Sequence, residues 1–351
     1  MLSIEEIASY LGNYNGRPIT IMEVCGSHTA AISKFGIKGI LSDKIRLISG
    51  PGCPVCVTPS GYIDKLIELS RMENTKVLTF GDMLRVPGSK ESLASAKAPK
   101  LGEKAANVDM VYSPMEVVSL ATANPDTTFI FAAVGFETTA PVYTLLLDEV
   151  IKLGINNVKI LTSLKTMPHV IEYLLDNEAK IDGFIAPGHV CAITGSNYFL
   201  PLAQRYDIPF SVCGFEAREL LIGIYGLVKM IENNEATVKN FYPAVVEENY
   251  TLETKTQLDK YFDFGNATWR GMGEIVNSGL YLKEEFLKYD AGSMGLDEDL
   301  KANKACACGE ILMGKKEPKD CPLFKKVCNP SNPQGACMVS YEGSCYHAFR
   351  Q

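Results

Sequence analysis

The sequence has little of three things: long apolar runs, positive charge and low-complexity tracts. No apolar run approaches the roughly 20 residues that a membrane-spanning helix needs, so we expect no membrane association. The formal net charge of −7 gives nucleic-acid binding no electrostatic support. The N-terminal stretch 3–11 is typical of a capped amphipathic helix and not of a signal peptide. We therefore expect a soluble, cytoplasmic protein.

Cysteine, by contrast, is abundant and unevenly distributed. The chain has 11 cysteines, and in a reducing compartment such a number favours metal ligands or redox thiols over structural disulfides. Six of them crowd the last part of the chain: Cys306, Cys308, Cys321, Cys328, Cys337 and Cys345. The other five are spread over the first 305 residues. This asymmetry predicts a separate C-terminal metal-binding unit.

The stretch 50–59 (GPGCPVCVTP) holds a Cys-x-x-Cys pair, Cys53 and Cys56, in a loop stiffened by glycine and proline. A strand-like run precedes the loop and a helical pattern follows it. We expect both thiols near a helix N-terminus, where the helix dipole favours the thiolate. The alternative is a tight turn with two buried thiols, and so much proline and glycine favours the functional pair.

Strand-like and helical patterns alternate along the first 240 residues. The predicted strands are 18–24, 45–48, 76–80, 128–134, 183–185 and 210–212. Such alternation predicts parallel sheets, which bind ligands at the carboxyl ends of their strands. Nearly every unusual polar residue or thiol of the first 220 positions falls at such an end.

We predict an α/β fold of two parallel-sheet domains, at 13–125 and 126–242, followed by a C-terminal iron–sulfur domain at 243–351. The helix at 1–12 is a candidate to pack on this third domain. The stretches 134–137 and 212–216 resemble each other, which fits a duplication of the α/β domain and chance equally well. The aromatic, glycine-rich segment after residue 260 is predicted to pack the cysteine-rich tail onto the body.

Cys25 and His28 form a second candidate site, directly after the first predicted strand. A thiol three residues before an imidazole suits a nucleophile and its base, or a soft-metal ligand with an auxiliary group. Together with Cys53 and Cys56, this places three thiols and one imidazole at neighbouring strand ends. We expect these four side chains to converge on one cleft.

Two further polar residues follow strand ends. Glu137 is a candidate proton acceptor or orienting group, and a helix-capping carboxylate is the equal alternative. His189 has the same ambiguity, with its stiff Pro-Gly loop favouring function. Cys191 and Cys213 are expected to be small buried hydrophobic residues.

The six C-terminal thiols exceed the four that a cubane iron–sulfur cluster needs. The alternative is a structural zinc site with tetrahedral thiolates. The spacings after Cys308 lack the paired Cys-x-x-Cys knuckles that zinc ribbons have, which favours iron–sulfur. The surplus thiols would then form a redox pair beside the cluster.

With these residues assembled, the chain resembles the HypD family of hydrogenase maturation proteins. The matching stretches are 22–29 (MEVCGSHT), 50–59, 134–139 (VGFETT), 269–271 (WRG), 306–309 (CACG) and 335–345 (GACMVSYEGSC). One departure is Ala30, where several relatives carry a second histidine. The resemblance implies a scaffold on which iron receives one carbon monoxide and two cyanide ligands, destined for [NiFe]-hydrogenase. It also implies two partners, a small HypC-type chaperone and a HypE-type cyanide donor.

By motif position, the resemblance also implies roles for individual residues. Cys25 would be the principal iron ligand with His28 nearby, and Cys53 and Cys56 would be functional thiols. The implied [4Fe-4S] cluster ligands are Cys308, Cys321, Cys328 and Cys345, and the implied redox pair is Cys306 and Cys337. The resemblance suggests a scaffold with redox-active thiols more than a conventional turnover enzyme.

Two rival functions remain open from the sequence. One is an iron–sulfur-dependent thiol–disulfide reductase that acts through Cys53 and Cys56. It requires no role for Cys25 or His28. The other is a zinc-stabilised binding module, which predicts a colourless protein.

Overall fold

The computed structural model describes residues 2–99, 101–102, 104–177, 179–296 and 305–350. In chain order its strands are β1 Ile19–Glu23, β2 Ile45–Ser49, β3 Thr75–Thr79, β4 Val108–Met110, β5 Thr128–Gly135, β6 Val158–Lys165, β7 Gly183–Ala186, β8 Phe210–Val212, β9 Val238–Asn240, β10 Phe262–Trp269 and β11 Gly273–Leu282. Its α-helices are α1 Ile4–Gly12, α2 Gly26–Lys34, α3 Ser60–Ser70, α4 Leu93–Lys97, α5 Glu116–Ala123, α6 Ala140–Lys152, α7 Met167–Asp176, α8 Gly188–Thr194, α9 Leu200–Tyr206, α10 Ala217–Glu232, α11 Leu252–Tyr261, α12 Cys308–Leu312 and α13 Ser344–Arg350.

Within these residues the strands form two sheets. The first has the order β2-β1-β7-β8-β9, and all its neighbouring strands are parallel. The second has the order β10-β11-β6-β5-β3-β4 and is parallel from β6 to β4. The hairpin of β10 and β11 adds an antiparallel edge to β6. The predicted α/β class with two largely parallel sheets is confirmed.

Each sheet takes strands from both sides of residue 125. In the first sheet Met22 pairs with Phe184, and in the second Val77 pairs with Ile130. The chain leaves the first sheet after β2, builds β3 to β6 of the second, and returns to the first at β7. The two sheets therefore do not correspond to the segments 13–125 and 126–242. A crossover helix can deliver the next parallel strand to either sheet, so strand order along the chain does not fix sheet membership.

The N-terminal helix α1 begins with the predicted capping box. The backbone N–H of Glu6 donates to Ser3 Oγ at 3.2 Å, and that of Ser3 donates to Glu6 Oε2 at 2.7 Å. The helix packs on α10, where the ring of Tyr10 meets that of Tyr225 edge-on at 5.2 Å and its hydroxyl donates to Glu232. The main neighbour of α1 is thus α10, which packs against the first sheet, whereas the sequence predicts that α1 packs on the C-terminal segment.

The C-terminal segment is built into the common core. Cys308 and Cys337 belong to the same buried apolar cluster as Met22 of β1 and Val77 of β3. The turn between β10 and β11 lies against α12, because a side-chain carbon on Gly271 would come within 2.5 Å of the Gly309 Cα. This contact confirms that the glycine-rich segment attaches the cysteine-rich tail to the body. Residues 297–304 and 351 of the predicted third domain lie outside the described residues.

None of the helices in the described part of the chain combines the length and the apolar character that a bilayer crossing requires.

Candidate functional site

Loops at the carboxyl ends of strands from both sheets surround one cavity of about 330 Å³. Cys25 follows β1, Pro54 lies in the loop after β2, and Asp82 follows β3. Phe136 follows β5 and His189 follows β7. The cavity therefore lies at the strand ends where parallel sheets bind ligands, as the sequence predicts.

Cys25 sits where β1 passes into α2, and the proline-rich loop crosses directly over it. The Gly26 N–H donates to the Gly52 carbonyl at 2.9 Å. A side-chain carbon on Gly52 would collide with the backbone nitrogen of Cys25, so only glycine allows the two loops to approach this closely. This contact explains why the loop needs glycine between Pro51 and Pro54.

The Cys25 thiol is neutral at physiological pH. Burial raises its pKa to about 12, although backbone N–H groups of His28 and Ser27 at the start of α2 act in the opposite direction. Among the described residues that line the cavity, Cys25 contributes the only thiol. A soft metal ion that binds here must displace the thiol proton, since the thiolate is the ligand.

Glu23 fixes the Cys25 loop from within the protein. Its side chain is 1% exposed, and burial raises its pKa to about 7. Its Oε2 accepts the Cys25 N–H at 3.0 Å, and its Oε1 accepts the hydroxyl of Thr29. Ser49 at the end of β2 adds a further hydrogen bond. Glu23 lies in the stretch 22–29, but a buried carboxylate that braces a neighbouring loop has no sequence pattern of its own.

His28 is completely buried and neutral. Burial lowers its pKa to about 4, although hydrogen bonds to the Cys213 and Gly214 carbonyls act against this. Its Nε2 lies 3.2 Å from both carbonyl oxygens and so carries the proton. The unprotonated Nδ1 is buried and has no hydrogen-bond partner. His28 thus ties the loop after β1 to the loop after β8 and keeps one lone pair available.

His189 faces the cavity and shares an aromatic partner with His28. Both imidazoles stack on Phe215, with ring centroids 4.1 Å away for His189 and 4.6 Å away for His28. Burial lowers the pKa of His189. Phe215 therefore sets the separation of the two rings.

The C-terminal segment closes the cavity through Glu342 and Tyr341. Glu342 Oε1 accepts the hydroxyl of Ser27 at 3.0 Å, two residues after Cys25. Burial raises the pKa of Glu342, and the Ser27 hydrogen bond opposes this. No local pattern in the sequence points to Glu342, because its partner Ser27 is 315 residues away along the chain.

Cys53 and Cys56 belong to the loop whose Gly52, Pro54 and Val55 line the cavity, but neither cysteine lines it. The Cys56 N–H points at Cys53 Sγ at 3.2 Å, and the two side chains are 3% and 0% exposed. Burial raises the pKa of Cys56 well above its ordinary value. The expected helix-dipole stabilisation of a thiolate is therefore wrong for Cys56, because burial outweighs it.

The thiols continue from this loop into the C-terminal segment. Cys56 hydrogen-bonds with Cys337 and with Cys53. Cys337 Sγ lies 2.9 Å from Cys308 Sγ, and Cys308 in turn hydrogen-bonds with Cys306. A continuous series of thiols, buried except for the half-buried Cys306 at its end, thus runs from Cys53 to Cys306.

The remaining C-terminal cysteines surround this series. Cys345 hydrogen-bonds with Cys337. Cys328 interacts electrostatically with Cys306 and Cys345. Cys321 is buried in the turn that leads to Cys328. The 2.9 Å contact between Cys308 and Cys337 joins one predicted cluster ligand to one member of the predicted redox pair.

We compared these residues with what an iron–sulfur cluster requires. All 11 cysteines are free, and the C-terminal thiols are buried or half-buried, which gives the donor chemistry and shielding that such clusters need. Yet within the described ranges no group of three or more histidine, cysteine or acidic side chains is arranged to hold a metal ion. The residue types and their burial therefore fit an iron–sulfur cluster. The sulfur atoms are placed as free thiols and are not arranged as the ligands of a metal.

Arg270 braces the thiol loop and was missed by the sequence analysis. Its Nε donates to the Thr58 carbonyl and its Nη2 to the Pro87 carbonyl, each at 2.6 Å. Its backbone N–H donates to the Val57 carbonyl at 2.8 Å. This buried guanidinium anchors the end of the Cys53–Cys56 turn to the β10–β11 hairpin.

Glu137 is separated from Cys25. Its side chain lines a different cavity, whereas its neighbours Phe136 and Thr138 line the Cys25 cavity.

Cys191 and Cys213 are 0% exposed, which confirms that they are buried apolar residues.

The fold and the site define a class of α/β protein in which two largely parallel sheets enclose a cavity with one buried thiol, backed by a C-terminal cysteine cluster. The sequence model of the HypD family, described as "Hydrogenase formation hypA family", matches residues 2–351. The chain therefore belongs to the HypD family, which takes part in hydrogenase maturation.

Three relatives illustrate the similarity. The hydrogenase maturation factor HypD of Azotobacter vinelandii is 40% identical over 344 residues, covering 94% of this chain and 88% of that protein. HypD of Escherichia coli K12 is 37% identical over 354 residues, covering 99% and 94%. HypD of Rhodobacter capsulatus is 36% identical over 353 residues, covering 98% and 92%.

Proposed function

We propose that this protein is a cytoplasmic scaffold on which iron receives one carbon monoxide and two cyanide ligands for [NiFe]-hydrogenase. The observation that carries the proposal is the cavity that holds the Cys25 thiol between the two sheets, with a series of buried thiols behind its wall. Carbon monoxide and cyanide complexes of iron require soft donors and shielding from water. The cavity offers both.

In this proposal Cys25 is the principal protein ligand of the iron, which is the cargo. Since the thiol is neutral in the metal-free protein, iron binding releases its proton. Glu23 and the Gly26–Gly52 hydrogen bond hold the loop in place, so little ordering is needed when iron binds. His28 and His189 keep the cavity rigid from the side of Phe215, and the free Nδ1 of His28 is a hydrogen-bond acceptor close to the thiol loop.

Redox chemistry is assigned to the thiol series. We infer that Cys308, Cys321, Cys328 and Cys345 hold a [4Fe-4S] cluster, and that Cys306 and Cys337 are the adjacent redox pair. Such a cluster, when bound, supplies single electrons. Cys53 and Cys56 can pass between dithiol and disulfide, which releases or takes up two electrons and two protons. Their contact through Cys56 to Cys337 supports this role.

Two partners are proposed, a HypC-type chaperone that shares the iron and a HypE-type protein that donates cyanide. The rim of the cavity supports partner docking, because Tyr341 lines it and is 59% exposed. A partner bound at this rim would close the cavity against water.

The alternative is a thiol–disulfide reductase that acts through Cys53 and Cys56. The continuous thiol series favours it, because electrons could reach this pair. The burial of both thiols counts against it, since a generic disulfide cannot reach either sulfur.

The decisive measurement is the infrared spectrum of anaerobically purified protein that has been co-expressed with its HypC-type partner. Carbon monoxide and cyanide stretches fall where proteins barely absorb. We expect both kinds of band in the wild type and their loss in Cys25→Ser. The matched control is Cys191→Ser, a buried thiol outside the cavity lining, which should keep the bands. A brown protein with bound partner and no bands would favour the reductase.

The same pair of variants predicts a cellular outcome. Cys25→Ser should abolish hydrogenase maturation while leaving the visible absorbance of the purified protein unchanged, because its serine hydroxyl is a poor soft-metal ligand. Hydrogenase activity in a strain complemented with each variant measures this. Normal maturation with Cys25→Ser would remove Cys25 from its assigned role.

A further inference from the structure

A second cavity, of about 180 Å³, lies on the other side of the loop that follows β5. At about 30 Å³ per water molecule in the liquid, this is room for roughly six waters, or for one small organic group. Glu137 lines it from one side and α11 from the other. It is separate from the Cys25 cavity, since Glu137 is the residue at which the loop turns from one cavity to the other.

The Glu137 carboxylate has one engaged oxygen and one that is not. Oε1 accepts the Met167 N–H at 2.8 Å and the Tyr198 hydroxyl at 3.0 Å. Oε2 is buried and has no hydrogen-bond partner. Burying an oxygen atom without a hydrogen-bond partner costs free energy, and the two hydrogen bonds to Oε1 do not remove the cost at Oε2. Among the described residues nothing donates to Oε2, so the ionised carboxylate can accept one further hydrogen bond there.

Aromatic rings form much of the remaining wall. They are Tyr198, Tyr250, Phe262 and Phe264. The Tyr198 and Tyr250 rings meet edge-on at 5.7 Å, and their hydroxyls hydrogen-bond with each other. Tyr198 donates its proton to Glu137 Oε1, and neither tyrosine hydroxyl hydrogen-bonds to Oε2.

The charges around the cavity leave Glu137 without a buried counter-ion. Of the described residues that line it, Lys255 is the one basic side chain, and it is exposed at the surface of α11 together with Asp259. A carboxylate among aromatic faces is the composition that recognises cations, because the negative face of each ring and the carboxylate attract the same positive group.

We propose that this cavity is a binding site for a small organic cation with a guanidinium or primary ammonium head. The head donates to Glu137 Oε2, and the aromatic rings surround its apolar part. This site is distinct from the iron cavity and depends on no part of the proposed scaffold function.

The test uses the full-length protein and methylguanidinium as the probe, with the uncharged N-methylurea as its shape-matched control. We expect millimolar methylguanidinium to raise the thermal unfolding midpoint and to give a saturable signal in ligand-observed NMR. N-methylurea should do neither. Equal effects of the two probes, or no binding of methylguanidinium, would overturn the proposal.

Three variants tie the binding to this cavity. Glu137→Gln keeps the shape but removes the charge, and should weaken methylguanidinium binding by about tenfold or more. Phe264→Ala removes a ring that is 57% exposed, so the fold should tolerate it, and should weaken binding about threefold. Glu253→Gln, on the exposed side of α11, should bind like the wild type. Unchanged binding in both Glu137→Gln and Phe264→Ala would place the probe elsewhere and sink the assignment.

Discussion

Glu23 and Glu137 are two carboxylates that are alike in burial and pKa and differ in how many of their oxygens are hydrogen-bonded. Glu23 ends β1 and Glu137 lies two residues beyond the end of β5. They are 1% and 2% exposed, and burial raises the pKa of each to about 7. Both oxygens of Glu23 accept hydrogen bonds, whereas Oε2 of Glu137 accepts none.

The comparison teaches that burial and a raised pKa do not by themselves mark a functional carboxylate. Glu23 uses its oxygens to hold the backbone around Cys25, and nothing remains for a ligand. Glu137 is held by two hydrogen bonds to Oε1, which leaves Oε2 able to accept a hydrogen bond from a ligand. The count of engaged oxygens separates the two roles.

The largest effect should come from removing the brace. Glu23→Ala leaves the Cys25 N–H and two hydroxyls without their acceptor and opens a void, so we expect the free energy of unfolding to fall by about 3 kcal/mol. Urea unfolding measures this, with Glu73→Ala at an exposed position as the control. If the two variants were equally stable, Glu23 would not be a brace.

A smaller effect should appear in the pH dependence of stability. The pKa of Glu137 is raised from 4.5 to about 7, so between these values the folded protein holds a proton that the unfolded chain has lost. The contribution of this group is full below pH 4.5 and is lost as the pH rises through 7. Glu137→Gln cannot ionise, so the fall in unfolding free energy between pH 5 and pH 8 should be about 2 kcal/mol smaller than in the wild type.

Urea unfolding at the two pH values tests this prediction. Glu253→Gln is the control and should keep the wild-type difference, because its side chain is exposed. The same difference in Glu137→Gln as in the wild type would mean that Glu137 does not bind its proton more tightly on folding.

The smallest effects should come from deleting one hydroxyl donor at each carboxylate. Thr29→Val and Tyr198→Phe should each cost about 1 kcal/mol. Thr29→Val should raise the pKa of Glu23 alone, and Tyr198→Phe that of Glu137 alone, since each hydroxyl lowers the pKa of its own partner. NMR titration of ¹³C-labelled glutamate carboxyls follows both groups at once. A shift of both groups in either variant would contradict the view that the two sites are independent.

The sequence predicted the elements of the fold well where apolar runs end in glycine or proline. The strands before Cys25, Cys53, Glu137 and His189 all lie within a residue or two of their predicted bounds. Local chemistry decides such strands, because β-branched and aromatic residues favour them and the following glycine or proline ends them.

The rest depends on contacts that no local pattern encodes. The segment after residue 260 shows no clean periodicity, and the β10–β11 hairpin that it forms was not predicted. The hydrogen bond from Tyr198 to Glu137 spans 61 residues, and that from Ser27 to Glu342 spans 315. No local signal separated Glu137 from Phe136, because both lie in the turn after β5, where the side-chain alternation of a strand no longer holds.

The interleaving of the two sheets has a consequence for synthesis on the ribosome. Strands β3 to β6 are contiguous in the chain and can pair as soon as residue 165 has emerged. The pair β1 and β2 is made first, yet it must wait for β7, because Met22 pairs with Phe184. Its open edge is exposed during that interval, when another chain could pair with it. We therefore expect the parallel part of the second sheet, β3 to β6, to fold first and the thiol cavity, which needs both sheets, to be among the last features completed.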